Sequence, residues 1–306
     1  IVVSGSHGKT TTTSLIASIF AKAKLDPTII NGGVINSLEN SAKLGKSEWS
    51  ILESDESDGS FVKLPPTYAV ITNIDHEHMD YYKSFNNLKK HFFKFMSNVP
   101  SFGKTFLCID DKNNYNIYKS KKIKNILTYG LNEKSNFRIK NIEYYLNYSK
   151  FDLDINLPNK TKISLYNFVI PIIGDHNVKN ATAAIAISYF IGISLNKIKK
   201  SLKNFKGVER RFNKIFNFNG VDFYDDYAHH PTEIENVLDG ISKSFKYKNI
   251  TCIFQPHRVS RINLLKEKFT KAFKNANKVI LCPIYKAGEN IKANFNYVDF
   301  AKSISK

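Results

Sequence analysis

The first thirteen residues, Ile1-Val2-Val3-Ser4-Gly5-Ser6-His7-Gly8-Lys9-Thr10-Thr11-Thr12-Thr13, constrain this chain more than any other stretch. Three apolar β-branched residues read as a short buried strand. A loop with two glycines follows, and a helix is expected from Ser14-Leu15-Ile16-Ala17 to about residue 24. Strand, glycine loop, helix is the setting in which a loop binds phosphate. Glycines let backbone N–H groups turn onto phosphate oxygens, and the helix N-terminus adds its partial positive charge. In this reading Gly5, Ser6, His7, Gly8, Lys9, Thr10 and Thr11 cradle a nucleotide. Lys9 reaches its β- and γ-phosphates, and the Thr10 hydroxyl ligates Mg²⁺. The spacing is G-x-x-G-K-T, two residues shorter than the common G-x-x-x-x-G-K-[ST] loop. The competing reading is a glycine turn that caps an ordinary helix.

At 306 residues the chain is long for one domain and suggests two. The apolar runs are short and interrupted, so no membrane insertion is expected. No signal peptide is visible, and a chain that starts directly on a strand reads as part of something longer. Cys108, Cys252 and Cys282 sit in apolar runs without metal-ligand spacing, which suits buried thiols in a reducing, cytoplasmic setting. The net charge is +18, but the basic residues are mostly Lys scattered among Asn and Ile. That is a solvated surface rather than a nucleic-acid-binding face, although the field would draw in polyanionic small molecules. Arginine is more telling. Arg138, Arg210, Arg211, Arg258 and Arg261 are the arginines among 45 basic residues, and four of them fall in two short stretches. A chain that elsewhere uses Lys keeps Arg where a planar fork must hold phosphate or carboxylate.

The pattern predicts an α/β fold: a central P-loop-type parallel sheet with a β-rich edge, then a smaller Rossmann-like α/β domain. Thr28–Ile30, Trp49–Leu52, Tyr68–Ile71 and Thr105–Ile109 read as strands, with a turn at Asn31-Gly32-Gly33. Helices are expected over Asn86–Ser97 and Asp111–Tyr118. Residues 126–170 alternate without helical period and read as partly antiparallel strands added to the sheet edge. Helices over Val178–Phe190 and Ser194–Phe205 follow. The boundary is placed near 212, giving domains 1–211 and 212–306. Beyond it, Val221–Tyr224, Asn249–Phe254 and Lys278–Cys282 read as strands. Pro231 to about 244, Ile262–Ala272 and 296–305 read as helices.

Polar groups collected at strand C-termini are what an open parallel sheet offers a ligand. Glu53 ends one such strand and opens Glu53-Ser54-Asp55-Glu56-Ser57-Asp58-Gly59. An acidic loop this dense is commonly just solvated. Behind a buried strand and near a phosphate loop, Glu53 becomes a Mg²⁺ ligand candidate. His78, in Asp75-His76-Glu77-His78-Met79-Asp80, is a second candidate. His-x-His would also suit zinc, but no third and fourth ligand appear at suitable spacing.

Seven segments then occur in order: Gly5-Ser6-His7-Gly8-Lys9-Thr10-Thr11-Thr12, Glu53 to Phe61, Thr72 to His78, His176-Asn177-Val178-Lys179-Asn180-Ala181, Gly207-Val208-Glu209-Arg210-Arg211-Phe212, Asp225-Asp226-Tyr227-Ala228-His229-His230-Pro231 and Phe254-Gln255-Pro256-His257-Arg258. Together they resemble the Mur ligase family of peptidoglycan synthesis, over nearly the whole chain. Within the family the likeness is to the members that add L-alanine to UDP-N-acetylmuramate.

The resemblance implies an ATP- and Mg²⁺-dependent amide ligase that works through an acyl phosphate. It implies that Lys9 holds the β/γ-phosphates, that Thr10 and Glu53 hold Mg²⁺, and that His78 helps to hold a second Mg²⁺. Asn177 and Asn180 would lie near the adenine and ATP, and Arg211 would reach the phosphates across the domain interface. Asp226 would face the nucleotide. His229, His257 and Arg258 would face the amino acid, with Arg258 as carboxylate clamp. Two departures stand out. The family's N-terminal UDP-binding domain has no counterpart here, and the last strands and helix of the C-terminal domain look short. The carbamylated lysine of other Mur ligases has no convincing counterpart, which is what the resemblance to the L-alanine-adding members implies. Competing readings are a murein-peptide recycling ligase that adds a tripeptide to the same UDP-sugar, a more distant folylpolyglutamate synthase-like ligase, and a non-catalytic nucleotide-binding protein.

Overall fold

In a computed structural model, residues 1–159, 161–245, 249–289 and 296–304 are described. The chain divides into two compact units. The first comprises Ile1–Ile172 and His176–Glu209, the second Ile173–Asp175 and Arg210–Lys306.

The first unit begins with β1 (Val2–Ser4), α1 (Lys9–Lys22), β2 (Thr28–Ile35), β3 (Asn40–Lys43), β4 (Ser50–Glu53) and β5 (Tyr68–Ile71). It continues with α2 (Met79–Tyr82), α3 (Phe85–Ser97), β6 (Lys104–Cys108), α4 (Lys112–Ser120) and β7 (Ile126–Gly130). Then come β8 (Phe137–Tyr144), β9 (Ser149–Asn156), β10 (Lys162–Ile170), α5 (Asp175–Ile191) and α6 (Leu195–Lys203). The ten strands form one sheet in the order β10-β9-β8-β7-β6-β5-β1-β4-β2-β3. Pairing is parallel from β2 through β8, while β3, β9 and β10 add antiparallel edges.

Both faces of the sheet are covered, so its central strands are apolar throughout. The period-2 alternation still sorts their side chains. Val3, Val70 and Phe106 join the core under α1, α5 and α6. Val2, Ala69, Ile71 and Leu107 join the core under α3. Strand β1 lies between β4 and β5, so the chain leaves it toward β2 on one side and later returns to β5 on the other. That reversal opens a crevice at the carboxyl ends of β1, β4 and β5.

Three of the expected elements take a different form. Helix α1 starts at Lys9, not Ser14. The β-branched run Thr10–Thr13 has modest helix propensity, but Thr12, Thr13 and Ser14 are fully buried, and that packing decides the matter. Asn31-Gly32-Gly33 is no turn: β2 continues through it, with its pairing to β3 interrupted between Ile30 and Ile35. The expected helix over Ile262–Ala272 is two helices, α8 (Val259–Leu264) and α9 (Lys266–Ala272), which break at Leu265.

The second unit also holds a hairpin of β11 (Asn213–Phe218) and β12 (Val221–Asp225), which turns at Asn219-Gly220 with both residues at positive φ. Strand β11 was not anticipated. Helix α7 (Pro231–Ser244) starts with Pro at its first turn, capped by His230 and Glu233. Strands β13 (Thr251–Phe254) and β14 (Lys278–Leu281) pair in parallel across α8 and α9. Phe254, Phe269, Phe273 and, from α10 (Tyr297–Ile304), Phe300 form their core. Residue 305 of the expected last helix lies outside the described residues.

Phe92 of α3 is fully buried with its ring 5.0 Å from that of Phe61. Phe92→Ala is expected to cost about 3–5 kcal/mol, read from the urea unfolding midpoint.

Candidate functional site

The loop after β1 takes its shape from the segment after β5. Parallel registry sets Ser4 beside Ile71, so both segments leave the sheet at one level. The Ser6 N–H donates to Asn73 O at 3.0 Å. The His7 N–H donates to Asn73 Oδ1 at 2.9 Å, while His7 O accepts from Thr72 Oγ1 at 2.7 Å and Asn73 Nδ2 at 3.0 Å. The His7 ring meets Asp75 Oδ2 at 3.3 Å. Gly5 sits at φ 134°, and a Cβ there would lie 2.1 Å from Thr72 Oγ1. Gly8, at φ 84°, precedes α1 without a side-chain cap. The first intrahelical bond runs from Thr12 N–H to Gly8 O at 3.0 Å. The N–H groups of Lys9, Thr10 and Thr11 therefore have no helical acceptor and face out of the helix N-terminus, with no acidic residue in the first turn.

Lys9 folds back over this loop. Its Nζ donates to Gly5 O at 2.7 Å, Ser6 O at 3.3 Å and Glu56 Oε2 at 2.7 Å. Burial pulls the Lys9 pKa down, but the charge and hydrogen bond of Glu56, with Asp55 and Glu53, more than reverse this and leave it raised.

Thr10 Oγ1 donates to Glu53 Oε1 at 3.0 Å. The other Glu53 oxygen accepts from the Gly32 N–H at 2.6 Å. A Cβ on Gly32 would lie 2.7 Å from that carboxylate, so β2 carries glycine there because the strand backbone must approach closely.

His78, in the left-handed region at φ 56°, lies 3.4 Å from Glu77 Oε2 and 3.7 Å from Glu56 Oε1. Burial lowers its pKa and the acids Glu77, Glu56 and Asp55 raise it, with a net rise. Asn177 and Asn180 meet at 3.3 Å on the first turn of α5, and a Cβ on Gly8 would lie 2.6 Å from Asn180 Oδ1.

The first unit thus brings together the loop residues, Glu53 and Asn180, with Asn177 beside Asn180. His78 joins Glu56 and Glu77. The fit to a nucleoside triphosphate and a divalent cation is chemical. Two glycines leave room where side chains would intrude, an ammonium lies over the loop, and a hydroxyl and carboxylate stand together as oxygen donors.

In the second unit, Asp226 accepts from Phe212 N–H at 2.8 Å and Ala228 N–H at 2.7 Å. Desolvation pushes its carboxyl up to about 6, with Glu233 adding to the rise, while Ala228 N–H, Arg211 and Phe212 N–H oppose it. Arg211 lies 4.0 Å from Glu233 Oε1 and over the Tyr227 ring at 5.6 Å. The His229 and His257 rings are 5.3 Å apart. His257 Nδ1 accepts from Arg261 Nη1 at 3.0 Å. Burial, His229, Arg261 and Arg258 hold the His257 pKa down to about 4, so the ring is neutral and able to accept. Arg258 sits at φ 64°, an unfavourable backbone for a residue with a Cβ, with its N–H donating to Tyr285 O at 2.9 Å.

Sequence reasoning passed over Glu56, Glu233 and Arg261. The signal for Arg261 was present in its clustering with Arg258. Glu233 was visible only as a helix-start acid. Nothing separated Glu56 from its acidic neighbours.

Residues 3–188 match the model of the Mur ligase middle domain, and residues 210–305 that of the Mur ligase glutamate ligase domain. The chain is 61% identical over all 306 residues to a UDP-N-acetylmuramate–L-alanine ligase of Pelagibacter ubique, of which it covers 66%. It therefore spans just under two thirds of that relative. The crystal structure of a UDP-N-acetylmuramate-alanine ligase from Thermotoga maritima superimposes with a TM-score of 0.79 at 26% identity, covering 100% of this chain and 64% of that one. A murein peptide ligase from Psychrobacter arcticus shares the fold, with a TM-score of 0.65 at 24% identity, covering 92% and 62%.

Gly5→Ala is expected to lower stability by about 1–3 kcal/mol in urea unfolding, because positive φ and the Thr72 contact both resist a side chain. Asp226 should leave a pH signature. Its carboxyl sits at about 6 against an ordinary 3.8, so between these values the folded chain binds more protons than the unfolded one. Its contribution to stability therefore falls as pH rises through that window, and the full cost is present above it. Relative to wild type, Asp226→Asn should gain about 1–2 kcal/mol on going from pH 4.5 to pH 7, read by denaturant unfolding at both values.

Proposed function

We propose that this chain, which belongs to the Mur ligase family, carries the ATP-binding and amino-acid-handling parts of an ATP-dependent ligase that joins L-alanine to UDP-N-acetylmuramate. The observation that carries this reading is the strapped Gly5–Thr11 loop, with Lys9 above it and the Thr10–Glu53 pair beside it. The 61% identity to a relative with that name supports the choice of substrates.

A carboxylate is a poor electrophile. In the proposed reaction a carboxylate oxygen of the UDP-sugar attacks the γ-phosphorus of ATP, the bond to the bridging oxygen breaks, and ADP leaves. The amine of L-alanine then attacks the acyl carbon and loses a proton. The acyl C–O bond breaks, and phosphate departs with its electron pair. Such transfers depend chiefly on charge neutralisation and alignment.

Lys9 and the N–H groups opening α1 would neutralise and orient the phosphates. Thr10 and Glu53 would hold one Mg²⁺ and His78 would help to hold a second, and when bound these ions would supply positive charge to the phosphate oxygens. Asn177 and Asn180 would contact the nucleotide, as would Arg211 and Asp226. His229, His257 and Arg258 would receive the amino acid, Arg258 by its planar fork on the carboxylate. The surplus of basic charge favours capture of polyanionic substrates, and we place the reaction in the cytoplasm. The three cysteines are free thiols. Among the described residues no helix is long and apolar enough to cross a membrane.

The test is phosphate release by the chain restored to the length of its relatives, with ATP, Mg²⁺ and UDP-N-acetylmuramate, with and without L-alanine; the 306 residues alone are expected to bind ATP and Mg²⁺ without efficient ligation. Release should require both substrates and fall by about 10²–10³-fold in Lys9→Ala. Release with a tripeptide in place of L-alanine would move the chain to the murein-peptide class. ATP binding without release in either case would leave a nucleotide-binding protein.

A further inference from the structure

Glu56 has no part in the proposed reaction, yet it is fully buried. Its Oε2 accepts from Lys9 Nζ at 2.7 Å. Its Oε1 is buried and accepts no hydrogen bond among the described residues. That oxygen lies 3.7 Å from His78 Nε2. One ligand atom each from Asp55, Glu56 and His78 falls within 4.8 Å of the others. The backbone behind Glu56 is also fixed, because Tyr82 OH donates to Glu56 O.

A lysine ammonium has three donors, and Lys9 has committed all three, to Gly5 O, Ser6 O and Glu56 Oε2. To reach a phosphate it must release at least one. The two carbonyls lie in the loop that would wrap the phosphate, whereas Glu56 is a competing anion. Breaking a buried ion pair from one side is costly, because an uncompensated charge stays behind. Glu56 therefore needs a replacement cation when Lys9 turns away. Its open oxygen points to where Asp55 and His78 offer the remaining donors, a set of two carboxylates and an imidazole that suits a divalent ion.

We propose that Glu56 is a positioning residue that exchanges its counter-ion: Lys9 in the nucleotide-free chain, and a divalent cation shared with Asp55 and His78 once Lys9 turns to the phosphates. The proposal rests on the nucleotide-binding reading of the loop. It makes nucleotide and metal binding mutually reinforcing, since each releases the other's competitor, and such coupling is reciprocal.

Two measurements on the full chain test it. The first is ATP affinity by calorimetry, in EDTA and in Mg²⁺, for wild type and Glu56→Gln. The variant should bind metal-free ATP about tenfold more tightly than wild type and lose about tenfold of the enhancement by Mg²⁺. The second is Mn²⁺ affinity without nucleotide, by electron paramagnetic resonance, for wild type and Lys9→Met. Removing the ammonium should tighten Mn²⁺ binding about tenfold, and Mn²⁺ should raise the Tm of Lys9→Met more than that of wild type. Unchanged Mn²⁺ affinity in Lys9→Met overturns the exchange, as does full Mg²⁺ enhancement in Glu56→Gln. If Glu56→Gln fails to fold, the Lys9→Met result decides alone. A wild-type chain that binds no ATP overturns the nucleotide reading itself. A wild-type chain that binds ATP, with both variants unaltered, overturns only the exchange.

Discussion

The grip of Thr72 and Asn73 on the backbone of His7 is the constraint on which the first unit's site depends. A glycine loop is useful because it is unhindered, and for the same reason it has no shape of its own. Here the shape is imposed from the neighbouring strand. Both backbone groups of His7 are taken by the segment after β5, and the missing side chain of Gly5 lets that segment come close. The N–H groups at the start of α1 are thereby aimed without any capping side chain. Parallel pairing of β1 with β5 makes this possible, since it delivers the loop and its strap at the same height.

Around that fixed backbone, charge is arranged in layers. The Lys9 ammonium lies over the loop, Glu56 lies behind the ammonium, and His78 lies beside Glu56. Glu53 stands apart from these, oriented by Thr10 on one oxygen and the Gly32 backbone on the other. In the second unit a comparable economy holds. Asp226 ties its own loop to the start of β11, and the two imidazoles and Arg261 fix one another. Lys9, Glu53, Asp226 and His257 each have at least one partner that orients them.

Much of the fold was legible. The central strands announced themselves as apolar runs with polar residues at their C-termini, and α3 showed its face through Leu88, Phe92, Phe95 and Met96. The partly antiparallel character of 126–170 followed from its alternation. What was not legible has physical reasons. The run Thr10–Thr13 looks unhelical because propensity is local, while its burial is not. Strand β11 lacks inside–outside alternation, since Ile215, Phe216 and Phe218 are all exposed, although Asn219-Gly220 carried a hairpin signal. Among the four carboxylates between Glu53 and Asp58, nothing in their chemistry tells Glu56, fully buried, from Asp55 and Asp58, exposed. That distinction is created by the turn of the chain and by Tyr82 on the far side of it.

Gly32 carries a consequence of another kind. It has no side chain to act with, yet the Glu53 carboxylate occupies the volume where one would be and hydrogen-bonds to its N–H. The coordinate of a charged group is thus specified by an empty space on a different strand. Any search for functional positions that scores side-chain chemistry will pass over Gly32 as a weak point in a β-strand. A search that scores tolerance to substitution will rank it with the acid it faces. The two inventories, of residues that perform and of residues that must be missing, overlap only partly in this protein, and the second is the one that holds the geometry.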